Sequence, residues 1–201
     1  SQVGVASTGV IGEIMNMEPV VKGVEMLNPN NDLESGMNFA QAILTTDTVM
    51  KNTTYATVID GKEVLVSGTA KGSGMIEPNM ATMLGFITTD ANIESDELQK
   101  ALSEITNLTF NAITVDGDTS TNDTVVVLAN GLAGNEPLTP AHPEWNNFYT
   151  ALRLVAEDLA KAIARDGEGA TKLIEVEVDG AISDEEARKI AKTVVGSPLV
   201  K

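Results

Sequence analysis

The chain has 201 residues, a formal net charge of −16, no cysteine and one histidine. The charge argues against nucleic acid and anionic membranes, both of which need clustered Lys and Arg. The missing cysteines exclude disulfides, thiolate catalysis and Cys-ligated metals, and any Ser-His-Asp triad would have to use His142. Aromatic residues make up only 3%, so the expected core is aliphatic.

Residues 3–12 are small and glycine-rich and read as a strand end entering a tight loop. Helices are expected over 17–26 and 36–44. Two β-rich runs, 54–59 and 63–67, flank Asp60-Gly61-Lys62, a hairpin signal. Residues 83–88 read as a buried strand and 95–105 as a helix. Residues 109–115 and 124–129 are β-rich on either side of a polar loop. Residues 131–143 form a Gly- and Pro-rich loop, and His142 within it is expected at the surface.

From 143 to 165, Trp145, Phe148, Leu152, Val155, Leu159 and Ile163 recur at helical steps and mark a core-facing stripe. Residues 166–169 stop that helix. Residues 172–178 alternate charged and apolar, the pattern of a half-exposed strand. Ser183 and Glu186 form a capping box for a last helix over 184–195. Strands and helices mix without strict alternation, which predicts a mixed α/β fold in layers.

No stretch is long and apolar enough to span a bilayer. Nothing at the start reads as a signal peptide, so the N-x-[ST] triplets at Asn52, Asn107 and Asn122 carry no expectation of glycosylation. The expected compartment is the cytoplasm.

Four segments could carry chemistry. Residues 69–85 hold Lys71 among small residues, two further glycines, and a small-residue junction before Thr82. Lys71 is not placed as in a phosphate-binding G-x-x-x-x-G-K-[ST] loop. By residue type alone this is either a reaction site or a loop feeding the strand at Met83. Residues 116–123 suggest calcium, but an EF-hand needs glycine sixth and glutamate twelfth, where Thr121 and Val127 stand. A loop bonded to its own backbone is expected there, with no metal.

Residues 6–12 could converge backbone N–H groups on an oxyanion, or form an ordinary strand-to-helix turn. Glu168, between two glycines, is either a bare carboxylate for a cationic substrate or part of a helix-ending loop.

Six motifs in order resemble the ornithine acetyltransferase family, the bifunctional glutamate N-acetyltransferases of arginine biosynthesis. They are ASTGVIG at 6–12, AILTTDT at 42–48, AKGSGMIEPNMATML at 70–84, TVDGDTSTNDT at 114–124, DGEGATK at 166–172 and SPLVK at 197–201. The resemblance implies the layered α/β fold of the self-processing ornithine acetyltransferase and DmpA-type aminopeptidase kind. It implies cleavage between Ala81 and Thr82. Residues 1–81 would be the C-terminal part of an α fragment and 82–201 the N-terminal part of a β fragment, together one main domain.

In that reading Thr82 is the nucleophile, Thr8 and Gly9 are the oxyanion pair, and Thr45, Lys71, Thr82 and Glu168 contact substrate. The implied reaction moves acetyl from N-acetylornithine to glutamate through acetyl-Thr82, with no cofactor and with acetyl-CoA as a donor in some members. The implied assembly is α₂β₂, and the family continues beyond SPLVK with a further substrate-binding Asn and Thr. A threonine hydroxyl needs a base, and the amine freed by cleavage can supply it. That amine has a reference pKa of roughly 7.7–8.0. The alternatives are a self-processing aminopeptidase of the same fold, or an inactive fragment of the transferase. Ala112 stands where the family pattern leads one to expect a basic residue.

Overall fold

The structure, a computed structural model, describes residues 4–7, 9, 10, 12–30, 32–77 and 83–201. Four strands form one sheet in the order β1 (Lys51–Ile59), β2 (Lys62–Lys71), β3 (Leu84–Thr89), β4 (Thr124–Ala129). The first two pairings are antiparallel and β3 runs parallel to β4. The hairpin expected around Asp60-Gly61 closes with Ile59 opposite Lys62. Both turn residues have positive φ, 52° and 71°, the backbone a two-residue type I′ turn demands.

Five α-helices are described: α1 (Met17–Met26), α2 (Leu33–Ala42), α3 (Ser95–Leu108), α4 (Trp145–Arg165) and α5 (Asp184–Val195). α3 lies in the crossover between the parallel strands β3 and β4. α4 packs across β1 and β2 and touches α3. The aliphatic stripe read from the sequence is its buried face: Phe148, Leu152, Val155, Leu159 and Ile163 are at most 1% exposed. They meet Val64, Val66 and Ala70, every second residue of β2.

Gly68 sits in that row. A Cβ there would lie 2.8 Å from both Leu159 Cδ1 and Val155 Cγ1, so the missing side chain sets how closely helix and sheet approach. The opposite sheet face is more polar. Thr54 and Ser67 pair at 2.9 Å, and Thr69 donates to Asn52 Oδ1 at 2.7 Å. Phe39 of α2 meets Phe86 of β3 edge-on, with centroids 5.2 Å apart. Helices and a mixed sheet therefore stack in layers, as expected for the mixed α/β class.

Three expectations change. Residues 4–7 pair with no strand. Residues 109–115 are not a strand: Thr109 ends α3, its hydroxyl donating to the Ile105 carbonyl at 2.7 Å. A single 3-10 turn, Phe110–Ala112, then buries Phe110. Core burial of one aromatic outweighs β propensity there. Residues 172–178 also form no strand. Alternation alone makes no ladder when no neighbouring strand among the described residues offers its backbone.

The caps are closer to expectation. Ser183 accepts from the Glu186 amide at 3.2 Å, and Glu186 reaches back to the Ile182 amide at 3.0 Å. α2 starts earlier than expected because Asp32 caps it, accepting from the Ser35 amide at 2.7 Å. His142 is tied in rather than free. Its Nδ1 accepts from the Glu144 amide at 3.1 Å, and its Nε2 lies 3.3 Å from Asp60. It thus joins the loop before α4 to the hairpin turn.

Two glycines should respond in opposite directions. Gly68→Ala should destabilise the fold by about 1–3 kcal/mol through overpacking. Gly36→Ala, inside α2 with open space around it, should stabilise it by about 0.4–1 kcal/mol. Urea denaturation of both variants checks this.

Candidate functional site

The site gathers where the C-terminal end of β2, the loop before β1 and the end of α4 meet. Lys71 is the last residue of β2 and is 2% exposed. Its Nζ donates to Thr45 Oγ1 at 2.9 Å. Burial lowers the Lys71 pKa, and Lys51 adds to this; the carboxylates of Asp47 and Asp123 oppose it. Two of the expected substrate contacts, Thr45 and Lys71, are therefore in direct contact.

Asp47 holds this pair. Its Oδ1 accepts from the Gly72 amide at 2.7 Å, directly after Lys71, and its Oδ2 from the Thr45 amide at 3.2 Å. Asp47 also binds Lys51 Nζ at 2.6 Å, and Lys51 reaches Asp166 at 2.6 Å. The three side chains are 0%, 0% and 6% exposed. Asp166 in turn accepts from the Thr48 amide at 3.0 Å and from the Thr48 hydroxyl. The loop before β1 is thus bolted to the end of α4.

Burial raises the Asp47 and Asp166 carboxyls, but the Lys51 bond and the backbone and hydroxyl donors outweigh it, and both sit below the ordinary value. Charge balance explains why such a cluster is tolerated. Asp47 and Asp166 face Lys51 and, for Asp47, also Lys71, so no buried charge there is isolated.

Glu168 follows two residues after Asp166. Its amide donates to the Ser73 carbonyl at 2.8 Å. A Cβ on Gly74 would fall within 2.6–2.8 Å of the Glu168 carboxylate, so the bare glycine backbone is what lets that exposed carboxylate lie against the loop after Lys71. Ser73 is buried and shares a 2.6 Å hydroxyl bond with Thr46. A buried cation at the end of β2 and an exposed carboxylate from the loop after α4 thus flank one short segment, residues 71–74, as an amino-acid substrate with both charges would require.

The loop 114–123 brackets the segment that contains Ala81-Thr82. Asp116 accepts from the amides of Met75 and Ile76 at 2.6 and 3.0 Å. The Val115 amide donates to the Ile76 carbonyl at 2.6 Å, and the Glu77 amide to the Asp118 carbonyl at 3.0 Å. On the other side Asp123 accepts from the Met83 amide, and the Thr124 amide donates to the Met83 carbonyl at 3.0 Å. The expected internal bonds are present, the Asp118 amide to Asp116 at 3.0 Å and the Asn122 amide to Ser120 at 3.2 Å, but Asp116 also holds the distant Met75 and Ile76 amides, which the sequence did not predict.

Thr8, Ala81 and Thr82 lie outside the described residues. Gly9 stands against Met15 and has no described tie to the Lys71 cluster. The structure therefore brings together Thr45 and Lys71, and sets Glu168 against Gly74, three residues after Lys71. The residue that the sequence motifs do not contain is Lys51; Asp166 and Asp123 stand within the motifs at 166–172 and 114–124, but their partners Lys51 and Met83 are not readable there. Only the i, i+4 spacing of Asp47 and Lys51 hinted at Lys51.

The buried ion network makes two predictions. Lys51→Met leaves two aspartates without their cation and should cost about 3–5 kcal/mol in urea denaturation. The pH dependence follows from lowered carboxyl pKa values. The stability they add is complete above the ordinary aspartate value of 3.8 and is lost as pH falls from there through the lower folded values. Acid titration of stability should show this loss in the parent and a shallower one in Lys51→Met.

Comparison with known proteins bears on this arrangement. The ArgJ family model matches residues 1–201. The chain is 65% identical over 199 residues to the arginine biosynthesis bifunctional protein ArgJ of Halalkalibacterium halodurans, covering 99% of this chain and 48% of that protein. It is 66% identical to the protein of the same name from Geobacillus stearothermophilus, with the same coverage. A crystal structure of the arginine biosynthesis bifunctional protein from Bacillus halodurans aligns with TM-score 0.59 at 72% identity, over 60% of this chain and 56% of that one. The chain spans about half the length of the curated relatives it matches. On the match along its whole length, the chain belongs to the ArgJ family.

Proposed function

We propose that the protein is an acyltransferase that moves an acetyl group from N-acetylornithine to glutamate in arginine biosynthesis. The observation that carries this reading is the buried Lys71 ammonium, hydrogen-bonded to Thr45, with the exposed Glu168 carboxylate lying against Gly74 just after it. Both substrates are amino acids. Lys71 can take a substrate carboxylate, and Glu168 a substrate ammonium. The family membership and the relatives' printed names support the same reaction.

In this reading the chain is cut between Ala81 and Thr82, with residues 1–81 the C-terminal part of an α fragment and 82–201 the N-terminal part of a β fragment, together one main domain. The Thr82 hydroxyl attacks the acetyl carbonyl of N-acetylornithine. The freed α-amine of Thr82 takes the hydroxyl proton and passes it to the departing ornithine amine. Thr8 and Gly9 stabilise the oxyanion, each such donor being worth about 10²–10³ in rate. Glutamate then attacks acetyl-Thr82, so the order is ping-pong. No cofactor takes part, acetyl-CoA is an alternative donor, and the fragments assemble as α₂β₂ in the cytoplasm.

The full-length protein tests this directly. Intact mass should give two fragments joined at 81/82 in the parent and one uncut mass in Thr82→Ala. Incubation with N-acetylornithine and glutamate should yield acetylglutamate from the parent alone. Release of amino acids from small peptides without acetylglutamate would instead identify an aminopeptidase. Lys71→Met should raise KM for glutamate by about tenfold or more while the cut still occurs, the signature of lost substrate binding.

A further inference from the structure

A substrate carboxylate gains most from Lys71 while its Nζ carries a proton, and burial works against that proton. Lys71 is 2% exposed, and its one described hydrogen bond goes to the Thr45 hydroxyl, a neutral partner. A buried ammonium with only a neutral partner gives up its proton readily. Some other group has to hold the charge in place, and it has to leave the remaining Nζ donors open for a ligand.

The ion cluster beside Lys71 has charge to spare. Asp47 and Asp166 share the single ammonium of Lys51, each at 2.6 Å. Two carboxylates on one lysine leave one negative charge over, and Lys71 is the cation that balances it. Asp47 also grips both ends of the Lys71–Thr45 contact. Its Oδ1 accepts from the Gly72 amide at 2.7 Å, in the peptide unit that leaves Lys71, and its Oδ2 from the Thr45 amide at 3.2 Å. Its side chain is 0% exposed, so no ligand meets it from solvent. Among the described contacts it spends no hydrogen bond on the Lys71 ammonium, whose donors stay open.

We infer that Asp47 is a positioning residue for substrate recognition: buried out of a ligand's reach, it is the counter-ion that lets Lys71 stand as a cation beside Thr45. The inference rests on the reading of Lys71 as the group that takes a substrate carboxylate.

The charges around Lys71 fit this role. Burial lowers its pKa. Asp47 leads the groups that oppose burial, Asp123 from the loop before β4 follows, and Lys51 of β1 works with burial. The two carboxylates differ in constancy. Burial pushes Asp123 up to about 7, so it is only partly ionised near neutral pH. Burial raises Asp47 too, but the Lys51 bond and the Gly72 and Thr45 amides outweigh it and hold it below the ordinary value. Its charge is therefore present wherever the enzyme works. Because the Lys71 value is lowered, its proton leaves before that of an ordinary lysine as pH rises, and carboxylate affinity leaves with it. Without the Asp47 charge this loss begins at a lower pH.

The test is calorimetric titration of the full-length protein with glutarate between about pH 6 and 10. Glutarate is glutamate without its amine, so both its charges are constant over that range. The parent should bind it near neutral pH and lose it towards the alkaline end. Asp47→Asn should bind about as tightly as the parent, or more tightly, at about pH 6, since a fixed negative charge near the ligand is gone. At about pH 9 it should bind about tenfold more weakly, so the two curves cross. Lys51→Met removes a charge of the opposite sign and should hold glutarate to a higher pH than the parent does.

A loss of affinity in Asp47→Asn by one factor at every pH would reduce the residue to its hold on backbone and overturn the inference. An unchanged curve overturns it too. Should Asp47→Asn not fold, a Lys51→Met curve that stays put or moves to lower pH has the same force. Lys71→Met that binds glutarate as the parent does, or a parent that does not bind it, removes the reading of Lys71 and the inference with it. Lys71→Met that loses glutarate, beside an Asp47→Asn curve that does not cross the parent's, removes this inference alone.

Discussion

Lys51 sits fully buried between Asp47 and Asp166, and the geometry of the site follows from that contact. A lysine there would be intolerable alone, since an unpaired buried charge costs several kcal/mol. Once paired, it fixes three otherwise separate pieces. Asp47 belongs to the loop before β1, Asp166 to the end of α4, and Lys51 to the sheet. Asp47 then uses its remaining capacity on the Thr45 and Gly72 amides. The ion network thereby sets the distance between Thr45 and Lys71.

The same device recurs around the segment that contains Ala81 and Thr82. Asp116 accepts from backbone amides before it, and Asp123 from an amide after it. Aspartates are suited to this because a short carboxylate can satisfy amides in irregular loops that no strand or helix partner reaches. The arrangement leaves the ends of the segment fixed to one loop, and that loop fixed to the parallel pair β3 and β4. Asp123 differs from the others in having an oxygen to spare. The surplus acidity of the chain is therefore partly architectural: several of its carboxylates hold backbone at the site.

Much of the fold was legible in the sequence. The α4 stripe from Phe148 to Ile163 was readable because helical periodicity survives any tertiary context that buries one face. The Asp60-Gly61 turn was readable because few residue pairs accept positive φ twice. The strands at 109–115 and 172–178 were misread for one reason. Alternation and β propensity describe a residue's fitness for a sheet, and cannot tell whether a partner strand lies beside it. Phe110 went to the core and the later segment found no ladder.

The candidate site divides the same way. Sequence by itself determined the absence of thiol chemistry, the order of the six motifs and the choice of Thr45, Lys71 and Glu168 as residues to watch. These depend on residue identity and spacing, which the chain carries whatever its shape. Only the tertiary structure decided that Lys71 is buried against Thr45, that Lys51 joins Asp47 to Asp166, the latter 115 residues beyond Lys51, and that Asp123 stands beside Met83. Those are contacts between distant parts of the chain, and their energies depend on desolvation and on exact partners, quantities that exist only once the layers have packed.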